Sequence, residues 1–230
     1  MPPLPAKRFL LNNTLLSVAF LPPLPWFVSA ADGFVPGRRH KVYVDAAENY
    51  QKQSWRNRCR IATASGAEDI SFPVVHRHDG GPVPVTEVRI DYSDGWLKRF
   101  LRAVDSAYMS APYYEHYRDG LFDVLSSGET SLWEYDMALV RHLSGRIGLD
   151  VDYVPVTQFV RPGEEGWNDL RSAIHPKKRG FPLPGGFTEK PYWQVFAPRY
   201  GFIPSLSIID LLFNEGPDSL DYLISSENRF

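Results

Sequence analysis

The sequence predicts an α/β fold: a mixed β-sheet flanked by helices, with a helical C-terminal segment. Short alternating apolar and polar stretches, separated by Gly, Pro and Asp, lie between residues 41 and 91 and again from 151. Between these two regions lie three segments whose apolar residues recur at helical spacing. A composition of 43% hydrophobic and 23% charged residues is ordinary for a globular protein. We therefore expect one domain spanning 1–230.

The strands follow from this alternation. The predicted strands are 41–45, 58–63, 70–75, 85–91 and 151–159. Before them, residues 9–27 predict a core strand, a turn and a short helix, which would add one more strand to the same sheet.

Two helices are predicted after residue 91. Ser93 or Asp94 can cap a helix whose apolar side chains begin at Trp96. Pro112 can open a second helix, which ends near Gly128.

The clearest helix signal is a capping box. Ser131 and Glu134 have the spacing of that motif, and Gly148 provides a stop. Near the C-terminus, Ser205 is a candidate cap for an apolar helix over 206–213, which Gly216 would end. The Pro- and Gly-rich stretch 161–200 predicts a long loop, and loops of that length are often functional or mobile.

The N-terminal region has the three-part pattern of a secretory signal, with an apolar run that leads to Ala30. Asn12 and Asn13 interrupt that run at its centre, so we expect these residues to belong to the fold and the protein to be cytoplasmic. The single cysteine, Cys59, excludes an internal disulfide and fits a reducing compartment. No apolar run is long enough to predict a membrane span.

The formal net charge of -2 gives no global attraction to nucleic acid, so any anion site must be local. Residues 49–61 hold four cations, two Asn amides and two aromatic rings, with no acid among them. Arginine forks, lysine ammonium groups and amides together suit a phosphate or carboxylate. The alternative is a strand with one solvated face.

The spacing within this stretch suggests how the cations could act. If residues 57–61 form a strand, Arg58 and Arg60 share one face and could clamp an anion. Lys52 and Arg56 would face together on a helical turn. Asn57 and Cys59 would then point to the opposite face.

The same stretch resembles a known family. Asn-Tyr-x-Lys, a four-residue gap and Asn-Arg-x-x-Ile are similar to the motif of the WbqC-like family of bacterial proteins. The segment 20–27 resembles that family's Leu-Pro-Pro opening, residues 85–114 its middle and 202–217 its C-terminal end. The resemblance covers about residues 10–224.

The resemblance implies a role in O-antigen or other surface-polysaccharide biosynthesis, and a transfer reaction that places a glycyl or other acyl group on an amino sugar. It implies no defined catalytic set or cofactor, though it favours functional roles for Lys52, Asn57 and Arg58. Other branches are expected to carry two adjacent acids where this chain has Asp45 and Ala46.

Two residues are candidate acid/base groups. Asp45, at the end of a predicted strand, could act as a general base or position an amine, or could simply cap a turn. His76 could transfer a proton. His76 and His78 have metal-ligand spacing, but no four-ligand set is complete, so no metal is predicted. Cys59, beside two arginines, could be a nucleophile, although its predicted inward face favours packing.

The leading hypothesis is a transferase that binds an anionic small molecule, either a sugar nucleotide or an acyl carrier. In this hypothesis Tyr50 and Trp55 would cover a sugar or base face. The substrate-binding residues would be Asn49, Tyr50, Lys52, Trp55, Asn57, Arg58 and Arg60. The basic run 177–179 would either close over the substrate or remain solvated. A non-catalytic partner of a biosynthetic enzyme or carrier protein is the alternative, and a secreted hydrolase is a third possibility.

Overall fold

The computed structural model describes residues 13–75, 81–178 and 186–225, and its centre is a four-stranded parallel sheet. The strands of the described residues are β1 (Asn13–Leu16), β2 (His40–Asp45), β3 (Arg58–Thr63), β4 (Gly66–Ser71), β5 (Val74–Val75), β6 (Arg89–Ile90), β7 (Val151–Val156) and β8 (Trp167–Asp169). The central sheet has the order β7-β2-β1-β8.

All three strand pairings of the central sheet are parallel, so the carboxyl ends of its strands lie along one edge. Leu15 and Leu16 of β1, and Val42 and Val44 of β2, have no exposed surface. Parallel strands covered on both faces favour such apolar runs. The helices that flank the sheet are α1 (Leu24–Ala30), α2 (Trp96–Tyr108), α3 (Tyr114–Leu125), α4 (Leu132–Ile147), α5 (Ala197–Tyr200), α6 (Ile208–Glu215) and α7 (Ser219–Ile224).

Helix α4 has the ends that its sequence predicts. The Ser131 hydroxyl oxygen accepts a hydrogen bond from the Glu134 N–H at 3.4 Å. At the other end Gly148 has φ 87°, a left-handed conformation that glycine adopts without the clash of a Cβ. The cap and the stop together fix the length of the helix.

An aromatic cluster joins the segment after β1 to helices α2 and α4. The Phe20 ring lies 4.8 Å from Phe72, and Phe72 stacks on Trp96 at 4.5 Å between centroids. Tyr135 of α4 completes the cluster, with its ring parallel to that of Phe20. Such ring pairs stabilise the fold beyond the area they bury.

The α/β class is confirmed, but the prediction that all strands join one sheet is wrong. β3 pairs antiparallel with β4 in a separate hairpin, whose turn ends at Gly66 with φ 103°. The predicted strand 70–75 is broken at Pro73, which has no N–H to donate to a neighbouring strand. In the predicted strand 85–91, a 3-10 turn over Val85–Glu87 follows Pro84, and only β6 is extended.

Two further corrections concern the C-terminal third of the chain. The stretch 161–200 is not a continuous loop, because β8 and α5 lie within it. α6 begins at Ile208 and not after Ser205, whose own N–H and hydroxyl both donate to Glu189. The strand predicted over 151–159 ends at Val156.

Helix α1 belongs to the core, since all seven of its residues are buried. Cleavage after Ala30 would therefore remove α1 together with β1 of the central sheet. Within the described ranges, no helix has the length and apolar character needed to cross a membrane.

Candidate functional site

The carboxyl edge of the central sheet collects polar side chains from three strands. Asp45 is the last residue of β2, Ser17 follows β1 directly, and Asp169 ends β8. Ligands of open α/β sheets bind in the crevice beyond this edge. The polar groups therefore lie where the fold favours a binding site.

Arg171 joins two of these strands by ion pairs. Its Nη1 lies 2.5 Å from Asp45 Oδ2, while its Nε and Nη2 donate to the two carboxylate oxygens of Asp169 at 2.8 and 2.6 Å. Nη2 also donates to the Val160 carbonyl at 2.9 Å. The hydrogen bonds from Arg171 hold the pKa of Asp169 below its ordinary value. Asp45 has no exposed surface, and its Oδ1 accepts a hydrogen bond from the Ala47 N–H at 2.9 Å, so both of its carboxylate oxygens have partners.

A second buried group surrounds Glu48. Arg56 donates from Nε to Glu48 Oε1 at 2.9 Å and from Nη2 to Oε2 at 2.5 Å. The Ser17 hydroxyl donates to Glu48 Oε2 at 2.7 Å and accepts from Arg56 Nη2 at 3.0 Å. Burial raises the pKa of Glu48 above its ordinary value, although Arg56 and Ser17 oppose that shift. A serine, a carboxyl and a guanidinium are thus in mutual contact.

Side chains from both ion-paired groups line a narrow pocket. Its cavity of about 10 Å³ is near the minimum for one water molecule. The polar side chains on its wall are Ser17, Ser54, Arg56, Arg171 and His175. The pocket therefore joins the two ion-paired groups in one place.

His175 brings a titratable ring to this pocket. Its Nδ1 accepts a hydrogen bond from the Lys177 N–H at 3.2 Å, which assigns the proton of the neutral ring to Nε2. Burial lowers the pKa of His175, and the positive charges of Arg56, Lys177 and Lys178 lower it further. The ring is therefore a neutral hydrogen-bond donor in a positively charged environment.

Two non-glycine residues with left-handed backbones lie close in sequence to the pocket-lining residues Ala19 and Ser54. Leu21 has φ 39° and Gln53 has φ 57°. Their segments are joined by the hydrogen bond from the Phe20 N–H to the Trp55 carbonyl at 2.8 Å. Strained backbone persists only where surrounding contacts enforce it, and it is concentrated at functional sites.

The arginines predicted to clamp an anion are paired with an acid of the neighbouring strand. Arg58 and Arg60 do share one face, but both contact Asp69 of β4, at 3.4 and 2.6 Å. The Arg60 guanidinium also lies 5.4 Å from the centre of the Trp55 ring. The expected pair of Lys52 and Arg56 does not form: Arg56 turns inward to Glu48, whereas the Lys52 side chain is exposed.

The remaining predicted binding residues have structural contacts. Asn57 donates to the Phe72 carbonyl at 2.7 Å. The backbone of Asn49 and Tyr50 pairs with residues 83 and 84. Trp55 is buried and lines the narrow pocket, so its ring does not offer an open face for a sugar.

His76 and His78 lie outside the described residues. Cys59 is fully buried, and burial raises the pKa of its thiol, so the predicted packing role holds. Within the described ranges, no group of three His, Cys, Asp or Glu side chains could hold a metal ion.

Four residues of the candidate site were not predicted from the sequence: Ser17, Glu48, Arg171 and His175. Three of them follow a parallel strand within three residues, and that position was the available signal. β8 is too short to show alternation, so the sequence indicates no strand end before Arg171, and His175 lies in the stretch 161–200 that predicts a loop.

Comparison with known proteins identifies relatives of the chain. The model of the WbqC-like protein family matches residues 24–174. The uncharacterized protein Rv1507c of Mycobacterium tuberculosis (strain ATCC 25618 / H37Rv) is 26% identical over 234 residues, which cover 87% of this chain and 93% of that protein. No solved structure matches the chain significantly. The matched range includes β2, the basic segment 49–61, β8 and Arg171.

Proposed function

Because this chain belongs to the WbqC-like protein family, we propose that it is a transferase of bacterial surface-polysaccharide biosynthesis, which moves an acyl or aminoacyl group to the amine of an amino sugar. The observation that carries the proposal is the meeting of Ser17, Arg56, Arg171 and His175 at one pocket on the carboxyl edge of the sheet. Glu48 does not line this pocket, but its carboxyl contacts the side chains of Ser17 and Arg56, which do.

The buried carboxyl groups suit the amine. An acceptor amine must lose a proton as it attacks a carbonyl carbon, and a base with a pKa closer to neutrality performs this step best. Glu48 fits this role because burial raises its pKa. Asp45 contributes indirectly, by fixing Arg171 beside the same pocket.

The cations around His175 suit an anionic donor. Lys177 and Lys178 are exposed, and their charges reach the His175 ring together with those of Arg56 and Arg58. Lys52 is an exposed cation of the same basic segment as Arg56 and Arg58. We assign this surface to a phosphate of a sugar nucleotide or of an acyl carrier, with no nucleic acid involved.

His175 would then polarise the acyl group. A neutral imidazole that carries its proton on Nε2 can donate to the carbonyl oxygen as negative charge develops there. Since the cavity holds only about one water molecule, a sugar would have to displace the segment that carries Ile174 and His175.

The test is a calorimetric binding screen of nucleotide-sugars and acyl thioesters. Lys52→Ala, Arg58→Ala and the double variant Lys177→Ala/Lys178→Ala should each weaken binding by about 10- to 150-fold, because a lost charge-assisted contact contributes about 1.5–3 kcal/mol. Lys98→Ala, at an exposed lysine of α2 away from the pocket, is the control. Wild-type affinity in all three variants would exclude the anion site.

A non-catalytic partner of a carrier protein is the second candidate. Phe159, which follows β7, and Trp193, which precedes α5, support it, because their side chains are 69% and 50% exposed. In a pull-down with acyl carrier protein, Phe159→Ala and Trp193→Ala should reduce capture. Stable capture without turnover of any donor and acceptor pair would favour this candidate over the enzyme.

A further inference from the structure

Two serine hydroxyls line the pocket, and their surroundings differ. Ser54 Oγ donates to the Gln51 carbonyl at 2.6 Å and accepts from the Arg56 N–H at 3.4 Å, so the backbone occupies it. Ser17 Oγ donates instead to a carboxylate, that of Glu48 at 2.7 Å. A hydroxyl in hydrogen-bond contact with a base, which a third group orients, is the usual arrangement of an activated nucleophile.

We propose that Ser17 is a covalent acyl acceptor, so that the transfer proceeds through an acyl-serine ester with Glu48 as its proton acceptor. This inference rests on the proposed function and adds the route of the acyl group. It requires two co-substrates of stated class: an acyl thioester as donor and an amino sugar as acceptor.

The first step forms the ester. Ser17 Oγ attacks the thioester carbonyl carbon while its proton passes to the Glu48 carboxylate. The tetrahedral intermediate collapses, the carbon–sulfur bond breaks, and the leaving thiolate takes the proton from Glu48. The products of this step are the ester on Ser17 and the free thiol of the donor.

The second step releases the product. The sugar amine attacks the ester carbonyl carbon and gives a proton to the Glu48 carboxylate. The carbon–oxygen bond to Ser17 breaks, and the serine oxygen recovers that proton from Glu48. The products are an amide and the free enzyme, in its starting protonation state.

Three observations support this route. Arg56 Nη2, 3.0 Å from Ser17 Oγ, is placed to stabilise negative charge on that oxygen. The same guanidinium fixes the Glu48 carboxyl through both of its oxygens, so the base needs no reorientation between steps. The Ser17 carbonyl accepts a hydrogen bond from Trp26 Nε1 at 2.9 Å, which anchors the nucleophile to the buried helix α1.

Intact-mass spectrometry tests the intermediate directly. Full-length protein is mixed with S-acetyl or S-glycyl N-acetylcysteamine in the absence of amine and is then quenched in acid. We expect the mass of one acyl group per chain, located at Ser17 by peptide mapping. Ser17→Ala should abolish labelling, and Glu48→Gln should slow it about 100-fold, the usual contribution of a general base.

Two further variants act as controls. Ser110→Ala, at an exposed serine outside the pocket, should label like the wild type. Ser17→Cys guards against a folding defect in Ser17→Ala, because it should take up the acyl group as a thioester that hydroxylamine releases at neutral pH.

The possible failures are distinguishable. If the wild type carries no acyl group, or if Ser17→Ala transfers the acyl group to glucosamine at the wild-type rate, the acyl-serine is overturned while the transferase proposal stands. If the wild type neither binds thioesters in the calorimetric screen nor acylates an amine, the proposed function itself fails.

Discussion

Two sets of acids with little or no exposed surface have opposite environments. Asp45 and Asp169, at the carboxyl edge of the sheet, are paired with Arg171. Asp136 of α4 and Asp210 of α6 have no exposed surface and make no ion pair with any described residue. Hydrogen bonds from Arg171 hold the pKa of Asp169 below its ordinary value, whereas burial raises the pKa of both members of the second set.

The acids of the candidate site and those of the core differ in their hydrogen-bond partners. Tyr192 and Gln194, which are both uncharged, donate to Asp210 Oδ2 at 2.7 and 3.0 Å and fix the loop before α6. Glu48 is intermediate: Arg56 opposes the effect of burial on its pKa without cancelling it. That balance suits a group that takes and returns a proton.

The largest effect is expected from removing the cation of the first set. Arg171→Ala leaves Asp45 buried without its ion-pair partner, which should lower the free energy of unfolding by about 3–5 kcal/mol. Urea unfolding at neutral pH measures it. Arg99→Ala, which breaks an exposed pair with Asp94, should cost less than about 1 kcal/mol. Equal losses in the two variants would remove the distinction between paired buried acids and surface pairs.

The second set should make the free energy of unfolding depend on pH with the opposite sign to that of a salt-bridged acid. The pKa of Asp210 is raised from 3.8 to about 6, so between about pH 4 and 6 the folded state binds more protons than the unfolded state. Stability should therefore fall as the pH rises through this window, by up to about 3 kcal/mol from this residue.

Asp210→Asn tests that slope, because an amide does not titrate. The difference in unfolding free energy between wild type and Asp210→Asn should change across pH 4 to 6 and should be constant above about pH 7. A difference that is constant over the whole range would show that the fold does not raise the pKa of Asp210. Asp136 is unaltered in both proteins, so its own titration cancels.

The smallest effect is expected on the hairpin. The Arg58 and Asp69 side chains are 26% and 25% exposed, so a double-mutant cycle with Arg58→Ala and Asp69→Ala should give a coupling below about 1 kcal/mol. The coupling should weaken further in high salt. A coupling above 2 kcal/mol would place this pair with the buried acids rather than on the surface.

The ends of a helix were predictable from the sequence where a local rule decides them. Ser131, Glu134 and Gly148 fixed α4 because caps and stops act within one turn. The partner of β3 was not predictable from its alternation, since the same pattern fits a central sheet or a separate hairpin.

The candidate site divides in the same way. Clustering of cations between Lys52 and Arg60 was visible in the sequence, but the acids that pair with them come from β4 and from Glu48, whose approach only the tertiary fold determines. Arg171 lies far along the chain from Asp45, so no motif could connect them.

The order of the central sheet also has a kinetic consequence. β1 and β2 pair with each other, but His40 of β2 also pairs with Val151 and Asn13 of β1 with Trp167, residues that are synthesised much later. Contacts between such distant residues slow folding, because loop-closure entropy is lost before they form. During synthesis, the outer edges of the β1–β2 pair therefore have no strand partner until the chain has grown past Asp169.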